Sequence, residues 1–108
     1  MGVWEYRFPR DRAHRYQDSV EVIKHLAGEV VEAAYDAGCI DQAAIQSDQL
    51  DGIGYVELGC ACDCAEELMD VIHVTESALH RLEDAYPLDL DEIADSVIEK
   101  NRRRGYYL

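Results

Sequence analysis

Basic residues are scarce in the middle of this 108-residue sequence. Residues 16 to 99 contain 21 of the 23 acidic residues but only Lys24 and Arg81 as bases, and the whole chain has a formal net charge of −13. Nucleic acids and anionic membranes are bound through basic surfaces, so this deficit argues against both as main partners. It favours a soluble cation as the companion of the acidic middle.

Long apolar runs are also lacking, because no segment approaches the roughly 18 apolar residues of a membrane span. The start, MGVWEYRFPR, has no apolar core of the length that a secretory signal needs. We therefore expect a soluble, cytoplasmic protein whose cysteines stay reduced. The length of 108 residues fits a single domain, in which residues 1–10 would form a flexible or loosely packed arm.

No Gly-rich phosphate loop, internal repeat or βαβ alternation occurs, and apolar residues instead recur at three- and four-residue spacing. This spacing predicts four helices: about Asp11 to Ala37 with Gly38 as its stop, Ile40 to Leu50, Asp63 to Tyr86, and Asp89 or Asp91 to Arg104. Asp63 with Glu66 resembles a capping box, and residues 55–62 could be extended. The predicted fold class is all-α, most simply a four-helix bundle.

Two pairs of acidic residues interrupt the apolar pattern at the same spacing. Glu29 and Glu32 lie three apart in GEVVEA, and Glu67 and Asp70 lie three apart in EELMDVI. Such pairs share one helix face with Cβ atoms about 5–6 Å apart, so they repel unless a cation lies between them. If the two helices pack side by side, the four carboxylates would suit Mg²⁺ or Mn²⁺. Solvated helix faces are the alternative explanation of the same spacing.

These motifs, in this order, resemble a known family. GEVVEA followed by EELMDVI is similar to the E-x-x-E and E-x-x-D motifs of the MazG-like, all-α nucleoside triphosphate pyrophosphohydrolases, and KNRRRGYY (100–107) looks like the Lys/Asn/Arg element that often closes these sequences. The chain differs from that pattern in having Gly28 directly before Glu29. It also has 34 residues between Glu32 and Glu67, which is more than is usual.

The resemblance implies a helical homodimer or homotetramer that releases pyrophosphate and a nucleoside monophosphate from a nucleoside triphosphate. It implies that Mg²⁺ is the cofactor and that Glu29, Glu32, Glu67 and Asp70 are its ligands. It further implies that Lys100, Asn101 and one of the following arginines, which we take to be Arg104, contact phosphate or sugar. No individual residue is assigned as the catalytic base.

Other functions remain open from the sequence. The chain could be a non-catalytic, acidic helical interaction module, or a phosphoribosyl-ATP pyrophosphohydrolase or dimeric dUTPase relative on the same fold. Cys39 and the CACDC stretch, with Cys60, Cys62 and Cys64, offer enough thiols for zinc but lack the usual C-x-x-C spacing. His25, one turn before Glu29, is either an exposed helix residue or a neighbour of the predicted metal site.

Overall fold

The computed structural model describes residues 4–10, 18–48 and 54–107, and all regular structure in these ranges is helical. It consists of α1 (Ser19–Asp48), α2 (Tyr55–Ala85) and α3 (Leu90–Arg103). The all-α prediction is confirmed, whereas the described residues form three helices and not the four expected. None of these helices is long and apolar enough to cross a membrane.

The first difference from prediction is the length of α1. The helix continues through Gly38, so the predicted stop at that residue and the separate helix from Ile40 are both wrong. A glycine inside a helix costs only about 1 kcal/mol against alanine. That cost is offset because the helix keeps packing beyond it, with Ala43 buried. At the other end Asp18 Oδ1 accepts the Glu21 N–H at 2.8 Å, and the predicted start at Asp11 lies outside the described residues.

The second difference is the start of α2. The helix begins at Tyr55, so residues 55–62 are helical and Asp63 is not its N-cap. Near the predicted start, Cys64 is buried against α1, where its Sγ lies 3.8 Å from the carbonyl oxygen of Ala33. The predicted end is confirmed, because the helix stops at Ala85 just before Pro87.

Helices α1 and α2 form an antiparallel hairpin with one shared seam. The guanidinium of Arg81, near the end of α2, donates to Ser19 Oγ at 3.1 Å, at the start of α1. Val22 and Ala33 of α1 are buried in this hairpin, as are Cys64 and Val74 of α2. Buried positions therefore recur along each helix at the spacing of one helix face, and most of the buried side chains are small.

The N-terminal arm, residues 4–10, makes hydrogen bonds and ring contacts with α2. Glu76 of α2 is buried, and its two carboxylate oxygens accept the backbone N–H groups of Arg7 and Phe8, each at 2.8 Å. The Tyr6 ring stacks on His80 with centroids 3.6 Å apart. Arg10 pairs with Asp84 at 2.6 Å. The arm thus lies along the second half of α2.

Helix α3 stands apart from the hairpin. None of its described Cα atoms lies within 8 Å of a Cα atom of α1 or α2. Its start is capped by Asp89, which accepts the Glu92 N–H at 3.1 Å, and is tied to the arm by the Trp4 N–H, which donates to Asp91. Gly105, at φ +77°, follows its last turn as predicted, since this backbone conformation favours glycine.

The buried carboxylate of Glu76 gives the first prediction. We expect Glu76→Ala to lower the free energy of unfolding by about 2 kcal/mol, because two hydrogen bonds from the arm lose a charged acceptor. The same variant should be cut faster by trypsin after Arg7 and Arg10. Urea denaturation and limited proteolysis measure both effects.

Glu66→Ala is the matched control, since Glu66 is an exposed glutamate of the same helix and its loss should change stability by less than about 0.5 kcal/mol. If the two variants are equally stable and equally resistant to trypsin, Glu76 does not hold the arm.

Candidate metal site

The acidic pairs of the two long helices meet at the seam of the hairpin. Glu29 and Glu32 are on α1 and Glu67 is on α2, and each offers a carboxylate oxygen such that all three oxygens lie within 4.8 Å of one another. Glu29 and Glu67 are half-buried, while Glu32 is exposed. The antiparallel packing therefore brings together three of the four residues predicted from the sequence to bind a metal. We call these three residues the glutamate cluster.

Asp70, the fourth predicted ligand, is exposed and lies outside this group of three. It is nevertheless close enough for its charge to raise the pKa of Glu67. Because it follows Glu67 by three residues on α2, it is on the same side of that helix. It is placed at the rim of the cluster.

The other members of the cluster contribute to a raised pKa of Glu67. Loss of water contact, then a hydrogen bond with Glu32 and the charges of Glu32, Glu29 and Asp70, raises the pKa of Glu67 to about 7. Two carboxyl groups can share a hydrogen bond only when one of them holds a proton. A proton on Glu67 and a bound cation would therefore have the same effect, since each offsets negative charge in the cluster.

The donor set fits a hard divalent cation. Oε2 of Glu67 is shielded from solvent and has no hydrogen-bond partner among the described residues. A shielded oxygen without a donor is costly, and a bound cation or a proton would satisfy it. Carboxylate oxygens are the ligands that Mg²⁺ and Mn²⁺ prefer.

The sequence left open whether His25 lies near the predicted metal site, and the structure places it beside Glu29. Its Nε2 lies 3.1 Å from Oε1 of Glu29, four residues further along α1. The histidine is partly exposed, whereas the Glu29 side chain is only 17% exposed. A contact of this kind fixes the orientation of a carboxylate, so His25 positions Glu29.

The residues predicted to bind phosphate or sugar are on α3. Lys100 and Arg104 are exposed and Asn101 is half-buried at the end of this helix. Within the described residues no hydrogen bond or ion pair connects them to the glutamate cluster, while Arg102 and Arg103 pair with Glu99 at 2.6 and 3.9 Å. One chain therefore does not bring the basic end of α3 to the acidic seam.

The three thiols of CACDC point to different sides of α2. Cys64 is buried, Cys60 is half-buried and Cys62 is exposed. Alternate residues of a helix are about 200° apart, so Cys62 faces away from the other two. The helix thus explains why this stretch does not form one zinc site.

No protein-family model matches this chain. Searches of the curated proteins and of the solved structures likewise give no match.

The raised pKa of Glu67 predicts how metal-free stability depends on pH. Between pH 4.5, its ordinary value, and about 7 the folded chain binds more protons at this group than the unfolded chain does. The free energy of unfolding should therefore fall as pH rises through this window. Urea denaturation at several pH values in EDTA measures it.

Glu67→Gln cannot ionise, so its stability curve should lack this part of the decline and cross the wild-type curve as pH rises. Glu66→Gln, the exposed neighbour, should keep the wild-type slope. Parallel curves for wild type and Glu67→Gln would show that Glu67 titrates normally.

Proposed function

We propose that the protein is a Mg²⁺-dependent nucleoside triphosphate pyrophosphohydrolase, which releases pyrophosphate and a nucleoside monophosphate. The observation that carries this proposal is the meeting of Glu29, Glu32 and Glu67 across two helices, with one shielded glutamate oxygen left without a donor. The order of the acidic motifs and of the final basic element supports it through the resemblance to MazG-like enzymes.

The glutamate cluster and Asp70 would hold the cation. Bound Mg²⁺, or Mn²⁺ in its place, would neutralise phosphate charge and lower the pKa of a water molecule that attacks phosphorus. Without a cation, a site this acidic would repel a triphosphate. The acidic residues can therefore serve phosphoanhydride chemistry only with a divalent ion.

The chain's own residues have separable roles in this proposal. His25 keeps Glu29 oriented, and Glu67 gives up its proton when a cation binds. Lys100 and Arg104 bind phosphate oxygens through their positive charge, and the Asn101 amide hydrogen-bonds to phosphate or sugar. Helix α3 must therefore approach an acidic seam that it does not reach within one chain.

In the proposed assembly, α3 of a second copy of the chain approaches the acidic seam of the first copy. Each hairpin helix has, besides the seam, an apolar stripe whose members recur at three-, four- or seven-residue spacing and are exposed or half-exposed. These stripes consist of Val20, Ile23, Ala27 and Val30 on α1, and of Leu68, Ile72, Leu79 and Leu82 on α2. At about 100° per residue, each stripe lies roughly 110° from the seam in the same rotational sense.

Because α1 and α2 run in opposite directions, two stripes rotated in the same sense from the seam lie on the same side of the helix pair. We call this side the apolar face. Ile23 is 52% exposed there and Leu68 is 51% exposed, and neither stripe contains a charged residue. Two copies stacked through their apolar faces make a four-helix bundle, the architecture that the sequence predicts for one chain. The exposed Ile93 and Val97 of α3 would gain cover in the same assembly.

The proposed activity gives the third prediction. Purified protein should release pyrophosphate from a nucleoside triphosphate only when Mg²⁺ or Mn²⁺ is present. Glu67→Gln and Asp70→Asn should each lower turnover at least about 100-fold, because each removes a negative charge from the metal site. Coupled pyrophosphate detection on a panel of nucleotides, including dUTP and phosphoribosyl-ATP, measures the effect and separates the related substrate classes.

Asp41→Asn, an exposed acid of α1, is the control and should keep wild-type turnover. A thermal-shift titration with Mg²⁺ addresses binding alone, since a ligand of the folded state raises its stability. Absence of both turnover and Mg²⁺ stabilisation would favour the non-catalytic interaction module.

The apolar face gives the fourth prediction. The wild-type chain should be a dimer at micromolar concentration, and Ile72→Glu should make it a monomer by placing a charge in the interface. Raising the salt concentration should strengthen the dimer, because each copy has a net charge of −13 and salt screens their repulsion. Sedimentation and light scattering measure the mass.

Tyr35→Glu is the matched control, since Tyr35 is an exposed residue of α1 about 100° from the centre of its apolar stripe. It should remain dimeric. A wild-type monomer at every concentration, or equal dissociation by both variants, would rule out this face as the interface.

A further inference from the structure

The seam contains a second set of paired residues beyond the glutamate cluster. From Glu32 the α1 seam continues four residues on to Asp36 and seven residues on to Cys39. From Glu67 the α2 seam continues, in the opposite chain direction, by the same intervals to Asp63 and Cys60. Seven residues are about two helical turns, so each step stays on the seam side of its helix.

This register places Cys39 of α1 opposite Cys60 of α2. Glu32 and Glu67 already face one another across the seam, with carboxylate oxygens within 4.8 Å, and equal steps along antiparallel helices keep the pairing. Both cysteines are half-buried, as residues at the edge of a shared seam should be. Among the neighbouring charges that raise the pKa of Cys60, that of Cys39 has the largest effect. This is consistent with the two residues lying opposite one another.

The two helices approach closely in this half of the hairpin. The buried residues here are small, namely Ala33, Ala43 and Cys64. The Sγ atom of Cys64 lies 3.8 Å from the backbone carbonyl oxygen of Ala33, so one short side chain spans the gap. Disulfides join Cα atoms about 4.4–6.8 Å apart, a separation that only small seam residues permit between helices.

The remaining thiols are placed differently. Cys62 is exposed on the far side of α2, and Cys64 is buried with its Sγ directed at Ala33. Neither position faces Cys39 at the same register. The pair Cys39 and Cys60 is therefore the one that the fold selects.

We propose that Cys39 and Cys60 form a reversible disulfide that ties α1 to α2, made by exchange with a small-molecule disulfide such as oxidised glutathione. One thiolate attacks a glutathione sulfur and forms a mixed disulfide, and one glutathione thiolate leaves. The second thiolate attacks the protein sulfur of that bond, and the second glutathione leaves. Two protein thiols are oxidised, one glutathione disulfide is reduced, and the two thiol protons end on the released glutathiones.

The groups around Cys39 and Cys60 control the rate of this exchange. Loss of water contact, and then the charges of Cys39, Asp63 and Asp36, raise the pKa of the Cys60 thiol. Since the thiolate is the reacting form, oxidation should be slow near neutral pH and speed up as pH rises. The disulfide is then a response to sustained oxidation and not a permanent bond.

The test uses the full chain, incubated in glutathione buffers of increasing oxidised fraction, quenched with acid and alkylated. Cleavage before aspartates suits the analysis, because no lysine or arginine lies between Lys24 and Arg81. It places Cys39 in residues 36–40, Cys60 with Cys62 in residues 51–62, and Cys64 in a third peptide. Mass spectrometry should find peptide 36–40 joined to peptide 51–62, within one chain, with the loss of two alkylatable thiols.

Matched serine variants assign the bond. Cys62→Ser should form it as wild type does, whereas Cys39→Ser and Cys60→Ser should form none, with circular dichroism showing that all three are folded. Asp63→Asn should oxidise roughly two- to threefold faster at pH 7.5, because a negative charge beside Cys60 is removed. The oxidised protein should melt at a higher temperature, and dithiothreitol should reverse this shift.

Other outcomes would overturn the proposal. They are a bond through Cys62 or Cys64, a bond between chains, or mixed glutathione disulfides alone at every oxidised fraction. None of these readouts uses Mg²⁺ or nucleotide, so a failure here is distinct from a failure of the proposed activity.

Discussion

Repulsion among carboxylates at a narrow helical seam is the constraint on which the rest of the structure depends. The packing of α1 against α2 brings Glu29, Glu32 and Glu67 together, and the repulsion of their like charges opposes this packing unless it is partly neutralised. A proton on Glu67, whose pKa is raised to about 7, would supply part of that neutralisation. A cation bound in the proposed site would supply it instead and would compete with this proton.

A single chain leaves much of its apolar surface uncovered. Its buried apolar residues are few and mostly small, while larger ones such as Val20 and Ile23 remain exposed on the apolar face. A core this thin does not by itself account for a well-ordered 55 Å molecule. Burial between copies, acting against the repulsion of two acidic protomers, supplies the missing apolar contact in the proposed assembly.

The sequence predicted the meeting of the acidic residues better than the limits of the helices. Three-residue spacing was enough to foresee that Glu29 and Glu32 share a face, and the resemblance paired them with Glu67. Spacing could not show that α1 runs on through Gly38, because burial of Ala43 across the seam decides it. The arm was missed for a similar reason, since a buried Glu76 beside Arg7 and Phe8 reflects a contact between residues almost 70 positions apart.

Carboxylates and thiols occupy different levels of the seam between α1 and α2. Carboxylates lie near the middle of both helices, where Glu67 is shielded and a cation can replace its proton. Two turns further on, at Cys39 and Cys60, the same register holds thiols, whose proton loss is opposed by Asp36 and Asp63. Negative charge thus acts in opposite ways at the two levels. At the glutamates it would favour a bound cation, and at the cysteines it opposes formation of the Cys60 thiolate and would therefore slow oxidation.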